Sequence, residues 1–176
     1  MLDFFKSNNR KQFANKILES LIKFDKNEVK NSTEKLCNTF TPEDILNEAD
    51  FRCIFQSCFA LEDVFTMYNE SQFKLESDVT KVGGGKKVDL ILIREKTVNI
   101  IEFKYNDTSK VALNQITYRQ YVERTIGLLE RKKIIKTSDI ALMRVIGLNL
   151  SRVKKSFVAD IGSFDLDQKS LTNLIK

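Results

Sequence analysis

Two apolar segments separated by a very short connection constrain the fold of this sequence most strongly. Residues 87–94 and 97–105 are rich in branched aliphatic side chains, and only Glu95 and Lys96 lie between them. Such runs are typical of β-strands, and a two-residue connection joins antiparallel neighbours. The second segment begins apolar at both alternating positions, as expected for a central strand covered on both faces. The sequence therefore predicts a β-hairpin inside a sheet.

Three charged side chains lie on this predicted hairpin: Asp89, Glu102 and Lys104. Glu102 and Lys104 are two positions apart, so they point to the same face of their strand. If Arg94 faces Thr97, counting back places Asp89 directly opposite Glu102. Buried charges are costly unless they are paired or bind a metal. A divalent cation between the two carboxylates would turn their repulsion into coordination.

Two interpretations of this spacing stay open. In the simpler one, Glu102 and Lys104 are solvated or form a salt bridge with each other at a strand end, and Asp89 merely begins a strand. In the other, the carboxylates hold a metal, while Lys104 orients a water or stabilises charge on a phosphate. The absence of histidine excludes Ser-His-Asp enzymes and nucleases with a histidine general base.

The remaining elements predict an α/β fold with a mixed β-sheet flanked by helices. We predict helices over residues 10–25, about 41–63, about 109–133 and 167–175. We predict further strands over residues 72–79, 140–150 and 156–161. The second helix is expected to begin at Thr41, where Pro42 and early acidic residues favour a helix start. The chain reads as one domain over 1–176, with an N-terminal helical extension over about 1–40.

Two polar residues fall on the predicted buried faces of the helices. Gln115 extends a helical stripe toward the N-terminus of its helix, and Glu48 does the same on the earlier helix. The two stripes contain Tyr118, Val122, Ile126 and Leu129, and Phe51, Phe55, Cys58 and Phe59, respectively. Gln115 and Glu48 are therefore expected to face the sheet, although each could instead be a helix-end residue that reaches solvent.

Taken in order, these residues resemble the pattern of the PD-(D/E)xK nuclease superfamily. The resemblance covers about residues 42–150 and is carried by Asp89, by the segment Ile100-Ile101-Glu102-Phe103-Lys104, and by the helical segment 112–116 with Gln115. It is similar to nuclease-like domains that lie downstream of AAA-ATPase-like regions. The resemblance implies a restriction-endonuclease-like fold, in which Asp89 and Glu102 bind the metal, Lys104 is catalytic and Gln115 supports the site.

The same resemblance implies that Glu48 is a further metal ligand, with Glu76 as a competing candidate. It implies a nuclease that depends on Mg²⁺ or Mn²⁺ and hydrolyses phosphodiester bonds of DNA or RNA. The alternative is a catalytically inactive nuclease-fold module that binds nucleic acid or a protein partner. The residues expected to contact nucleic acid are Lys86 and Lys87, which follow a glycine-rich turn, and Arg119 and Tyr121.

The composition permits this interpretation without requiring it. A net charge of +5 and a pI near 9.0 attract polyanions, with DNA the favoured partner. Cys37, Cys53 and Cys58 form no CxxC pair, which favours a reduced, cytoplasmic protein. The sequence contains neither a signal-peptide pattern nor an apolar run long enough to span a membrane, so we expect no membrane partner. A homodimer or a complex with another protein is compatible with the sequence.

Overall fold

A computed structural model describes residues 8–59, 65–69, 88–118 and 121–174. The protein has an α/β fold with a five-stranded mixed sheet, in the order β1-β2-β3-β4-β5, flanked by helices. The strands are β1 Thr66–Asn69, β2 Leu90–Arg94, β3 Thr97–Tyr105, β4 Leu142–Val153 and β5 Ser156–Asp167. The helices are α1 Asn8–Lys23, α2 Lys26–Cys37, α3 Glu48–Phe59, α4 Ser109–Tyr118, α5 Tyr121–Arg131 and α6 Gln168–Leu174.

The sheet is mixed because its strands do not all alternate in direction. β2 pairs antiparallel with both β1 and β3. β3 and β4 run in the same direction, since Ala141 donates a hydrogen bond to the Lys96 carbonyl at one end and Asn106 donates to the Leu150 carbonyl at the other. The connection between these two parallel strands contains α4 and α5, as a parallel crossover requires.

The chain divides into two compact units that share strands β3, β4 and β5. The first unit consists of residues 1–65, 103–109 and 148–161, and the second unit consists of residues 66–102, 110–147 and 162–176. The prediction of one domain over 1–176 stays a prediction. The region predicted as an N-terminal helical extension contains α1 and α2, which pack against each other in the first unit.

The second unit is built around one apolar cluster between the sheet and the helices. Ile91 and Ile93 of β2 share this cluster with Val98 and Ile100 of β3, and Ile116 contributes from α4. Buried residues of α5, β4 and α6 also belong to the cluster: Val122, Ile126, Leu128, Leu129, Met143, Val145 and Leu171. Alternate residues of β2 and β3 thus face α4 and α5, as the period of a strand requires.

The core of the first unit contains an aromatic cluster. Phe103 of β3 packs edge to face against Phe51 and Phe55 of α3, with ring centroids 5.3 Å and 5.2 Å apart. Phe59 extends the cluster from Phe55 to Phe65. The predicted stripe of α3 is confirmed, because its phenylalanines and Cys58 are all buried.

Most predicted elements of the described residues are confirmed, and β3 has the predicted bounds. The predicted strands 87–94, 140–150 and 156–161 correspond to β2, β4 and β5, and the predicted helices 10–25 and 167–175 correspond to α1 and α6. The described parts of the predicted helix 109–133 are α4 and α5. The predicted strand 72–79 lies outside the described residues. The short strand β1 was not predicted.

The predicted helix start at Thr41 is wrong, because Asp44 turns back onto Thr41. The Asp44 carboxylate accepts hydrogen bonds from the Thr41 backbone N–H and hydroxyl, at 2.8 Å and 2.9 Å. These bonds satisfy a local turn, and α3 begins at Glu48 instead. Asn47 caps that helix by accepting from the backbone N–H groups of Ala49 and Asp50.

Helix α2 was not predicted because its composition is polar. Its buried residues include few large apolar side chains, so the helical stripe is weak in the sequence. A usable signal was the Asp25-x-x-Glu28 pattern, which is typical of a helix start. Asp25 indeed accepts a hydrogen bond from the Glu28 N–H at 3.0 Å.

The three cysteines are all free thiols, with Cys37 and Cys58 buried and Cys53 exposed. Burial raises the pKa of the Cys58 thiol to about 12 and raises that of Cys37 as well. Thiolate is the reactive form, so both buried groups are poor nucleophiles near neutral pH. Among the described residues, no helix combines the length and apolar character needed to cross a membrane.

We predict that substitution of Phe55 by alanine lowers the free energy of unfolding by about 3–5 kcal/mol, the usual cost of removing a fully buried phenylalanine. Phe55 contacts three other rings of the aromatic core. Urea denaturation followed by circular dichroism measures the change. Ile22→Ala on the exposed side of α1 is the control and should change the value by less than about 0.5 kcal/mol.

We predict that a disulfide reagent such as DTNB modifies one thiol rapidly in the native protein and three after denaturation, since one of the three cysteines is exposed. The Cys53→Ser variant should lose the rapid phase and keep the two slow thiols. Rapid modification of all three thiols in the folded protein would contradict the described burial.

Candidate metal and nuclease site

The register of the β2–β3 hairpin positions two acidic residues. Arg94 pairs with Thr97 across the two-residue connection, which is the condition that the sequence analysis left open, and Glu95 in that connection adopts a left-handed φ of 53°. The pairing continues to Leu90 opposite Ile101, which is the last described pair. One step further along the two strands lie Asp89 and Glu102.

Both acidic residues are buried in the second unit. Asp89 is 6% exposed and Glu102 is 1% exposed. By strand alternation, Glu102 lies on the same face of β3 as Ile100, which belongs to the cluster that contains residues of α4 and α5. Asp89 directly precedes β2. A buried carboxylate is tolerated where hydrogen bonds or charges stabilise it.

Gln115 of α4 contributes one compensating interaction. Its Nε2 donates a hydrogen bond to Oε1 of Glu102. On the same helix, Ala112 and Ile116 are buried. Helix α4 therefore contacts the core with apolar side chains and contacts Glu102 with the Gln115 amide. The inward orientation of Gln115 predicted from the helical stripe is therefore observed, while its role in the site stays a prediction.

In the first unit, Lys104 forms an ion pair with Glu48. Lys104 Nζ lies 3.0 Å from Glu48 Oε2 and also donates to the Phe103 carbonyl at 2.8 Å. The Lys104 side chain is 14% exposed and that of Glu48 is 38% exposed. The family resemblance implies that Glu48 is a further metal ligand, with Glu76 as a competing candidate, and that role stays a prediction. In the structure, one carboxylate oxygen of Glu48 contacts the ammonium group of the predicted catalytic lysine.

The strand end that carries Lys104 is fixed by contacts that the sequence did not reveal. Asn106 has a left-handed φ of 56°, and the Asn149 side chain both accepts from the Asp107 N–H and donates to the Asp107 carbonyl. Ser109, the first residue of α4, donates its N–H to Asp160 Oδ2 at 2.9 Å, which lowers the pKa of Asp160. Asn149 is a polar residue in an otherwise apolar strand pattern, and this exception was the sequence feature that could have indicated its hydrogen bonds to Asp107.

Several predicted site residues lie outside the described residues. They are Lys86, Lys87 and Arg119, together with Glu76, the competing acidic candidate. Tyr121 begins α5, but its side chain is not among the described ones. Their predicted contacts with nucleic acid or metal stay predictions.

A metal at this place would depend on two protein carboxylates. Within the residues that the structure describes, no three Cys, Asp or Glu side chains group closely enough to hold a metal ion. Mg²⁺ is commonly bound through one or two carboxylates, with water and substrate phosphate as its remaining ligands. The carboxylates of Asp89 and Glu102 have the chemistry of such a pair.

Comparison of the chain with models of protein families and with curated proteins finds no match. Function is therefore inferred from the residues themselves.

We predict that Gln115→Ala lowers the free energy of unfolding by about 1–3 kcal/mol, because it removes a donor from a buried carboxylate. The loss should be smaller in a Glu102→Gln background, where the partner carries no charge. A double-mutant cycle by urea denaturation measures the coupling, expected at about 0.5–3 kcal/mol. The matched control is Asn114→Ala, an exposed neighbour on α4. Full additivity of Gln115→Ala and Glu102→Gln would contradict the interaction.

Proposed function

We propose that this chain is a metal-dependent nuclease with a restriction-endonuclease-like fold, which hydrolyses phosphodiester bonds of DNA or RNA. The observation that carries the proposal is the burial of Asp89, which directly precedes β2, and of Glu102 of β3, each next in the chain to a member of the Leu90–Ile101 pair. Hard divalent cations take carboxylate oxygens as ligands, so these two carboxylates are donors of the kind that such an ion uses.

The donor set fits Mg²⁺ or Mn²⁺. Hard divalent cations prefer carboxylate oxygens, and Asp89 before β2 and Glu102 in β3 provide them. Gln115 donates to Glu102 and so orients that carboxylate, as polar neighbours of metal ligands commonly do. We leave Glu48 out of the metal site, because its carboxylate is engaged by Lys104.

The chemistry of the proposed site divides between the ion and the protein. When bound, the cation polarises the phosphate and lowers the pKa of a water molecule. Asp89 and Glu102 are the residues that would hold this ion. For Lys104 we propose the role expected from the sequence, in which its ammonium group orients the attacking water or stabilises charge on the phosphate.

The basic composition supports a polyanionic substrate. The net charge of +5 increases the encounter rate with nucleic acid, and DNA is the substrate that we propose to test first. The α/β architecture with a mixed sheet is compatible with the proposed fold and leaves its finer classification as part of the proposal.

We predict that the protein cuts supercoiled plasmid, single-stranded DNA or RNA in Mg²⁺ or Mn²⁺ and not in EDTA. Lys104→Ala should reduce the cleavage rate by about 100-fold or more, the usual effect of removing a group that stabilises transition-state charge. Asp89→Asn should have a comparable effect, because it removes a metal ligand. Agarose-gel assays measure the rates, and circular dichroism verifies that each variant is folded.

The matched control is Lys96→Ala, which removes the same type of side chain from the exposed turn at the opposite end of β3. Its rate should stay close to that of the wild type. Cleavage by Lys104→Ala at the wild-type rate would contradict the proposed mechanism. Binding of nucleic acid in EDTA, with no cleavage in either metal, would support an inactive nuclease-fold module instead.

A further inference from the structure

Lys104 is held by a helix that is distant from it in the sequence. Its Nζ donates to Glu48 Oε2 at 3.0 Å and to the Phe103 carbonyl at 2.8 Å. Glu48 precedes Lys104 by 56 residues, so the pair depends on the tertiary packing of α3 against β3. A lysine whose ammonium lies between a carboxylate and a backbone carbonyl has lost much of the rotational freedom of its long side chain.

We propose that Glu48 is a positioning residue, which holds the Lys104 ammonium in place and is not a metal ligand. This inference rests on the proposed function, because positioning matters for catalysis only if Lys104 acts in cleavage. It assigns to Glu48 a role different from the one implied by the family resemblance.

The location of Glu48 is itself rigid. Glu48 is the first residue of α3, and Asn47 caps this helix through the backbone N–H groups of Ala49 and Asp50, at 2.8 Å and 3.0 Å. The Asp50 carboxylate accepts a hydrogen bond from the Leu46 N–H at 3.0 Å. Hydrogen bonds therefore link the residue before the Asn47 cap and the residues after it. The helix start therefore has little freedom to withdraw the carboxylate.

Aromatic packing sets the distance between helix and strand. Phe51 lies one turn after Glu48, and Phe103 directly precedes Lys104. Their rings pack edge to face at 5.3 Å, and both side chains are buried. The Phe51–Phe103 contact therefore lies near the ion pair in the sequence of both α3 and β3. It brings the carboxylate and the ammonium group into hydrogen-bonding range.

The three possible roles of Glu48 predict different measurements. A metal ligand would lower metal affinity when replaced. If the ion pair is only a surface contact, replacing Glu48 changes neither metal affinity nor kcat, since exposed ion pairs contribute about 0–1 kcal/mol to stability. If Glu48 positions Lys104, replacing Glu48 lowers kcat, because a misplacement of about 1 Å can cost on the order of 100-fold in rate.

The test compares Glu48→Gln with the wild type in three measurements. Steady-state cleavage should show kcat reduced by about 10- to 100-fold with KM unchanged. Calorimetric titration with Mn²⁺ alone should give the wild-type affinity, whereas Asp89→Asn should lose binding. The ¹⁵N order parameter of the Lys104 ammonium group should fall to that of the exposed Lys96.

Two further variants control for folding and charge. Glu48→Asp keeps the negative charge at the helix start but shortens the side chain by one carbon–carbon bond, about 1.5 Å. It should keep the stability of the wild type and still lower kcat. Glu43→Gln removes an exposed carboxylate that lies 4.0 Å from Arg152, and it should leave kcat unchanged.

A loss of Mn²⁺ affinity in Glu48→Gln would overturn the proposal in favour of metal ligation. An unchanged kcat or an unchanged order parameter of Lys104 would overturn it as well. If the wild type cuts no nucleic acid, the proposed nuclease function fails. The order parameter then decides independently whether Glu48 holds Lys104.

Discussion

The antiparallel pairing of β2 with β3 is the interaction on which the rest of the structure depends. Because Arg94 pairs with Thr97, every later pair is determined, and Asp89 and Glu102 follow at the far end of the hairpin. A slip of one residue would move each side chain to the opposite face. The apolar residues of both strands resist such a slip, since Ile91 and Ile100 would leave the core that they share with α4 and α5.

The second constraint is the aromatic contact between α3 and β3 in the first unit. Phe51 and Phe55 of α3 pack on Phe103, and this packing brings the start of α3 close to Lys104, the next residue of the strand. Glu48 reaches Lys104 as a consequence of that packing. Core residues without any chemistry of their own therefore decide how a charged side chain is held, which is why hydrophobic packing and the proposed catalysis cannot be separated here.

Local patterns were sufficient for much of the fold. The strand pattern predicted β3 with its observed bounds, and the helical stripe predicted the buried side of α3. Prediction was wrong at Thr41, where the side chain of Asp44 satisfies a turn and no helix starts. It also missed α2, whose polar composition weakens the apolar stripe that makes a helix visible in a sequence.

The sequence by itself determined the hairpin, and it left the register and the orientation of Gln115 as expectations, because strand and helix periods and a two-residue connection favour them without fixing them. Only the tertiary structure decided that Glu48 pairs with Lys104, that Asn149 binds the backbone of Asp107, and that Asp160 caps Ser109. These contacts join residues that lie between 42 and 56 positions apart. Their formation depends on how whole elements pack, and no local period encodes that packing.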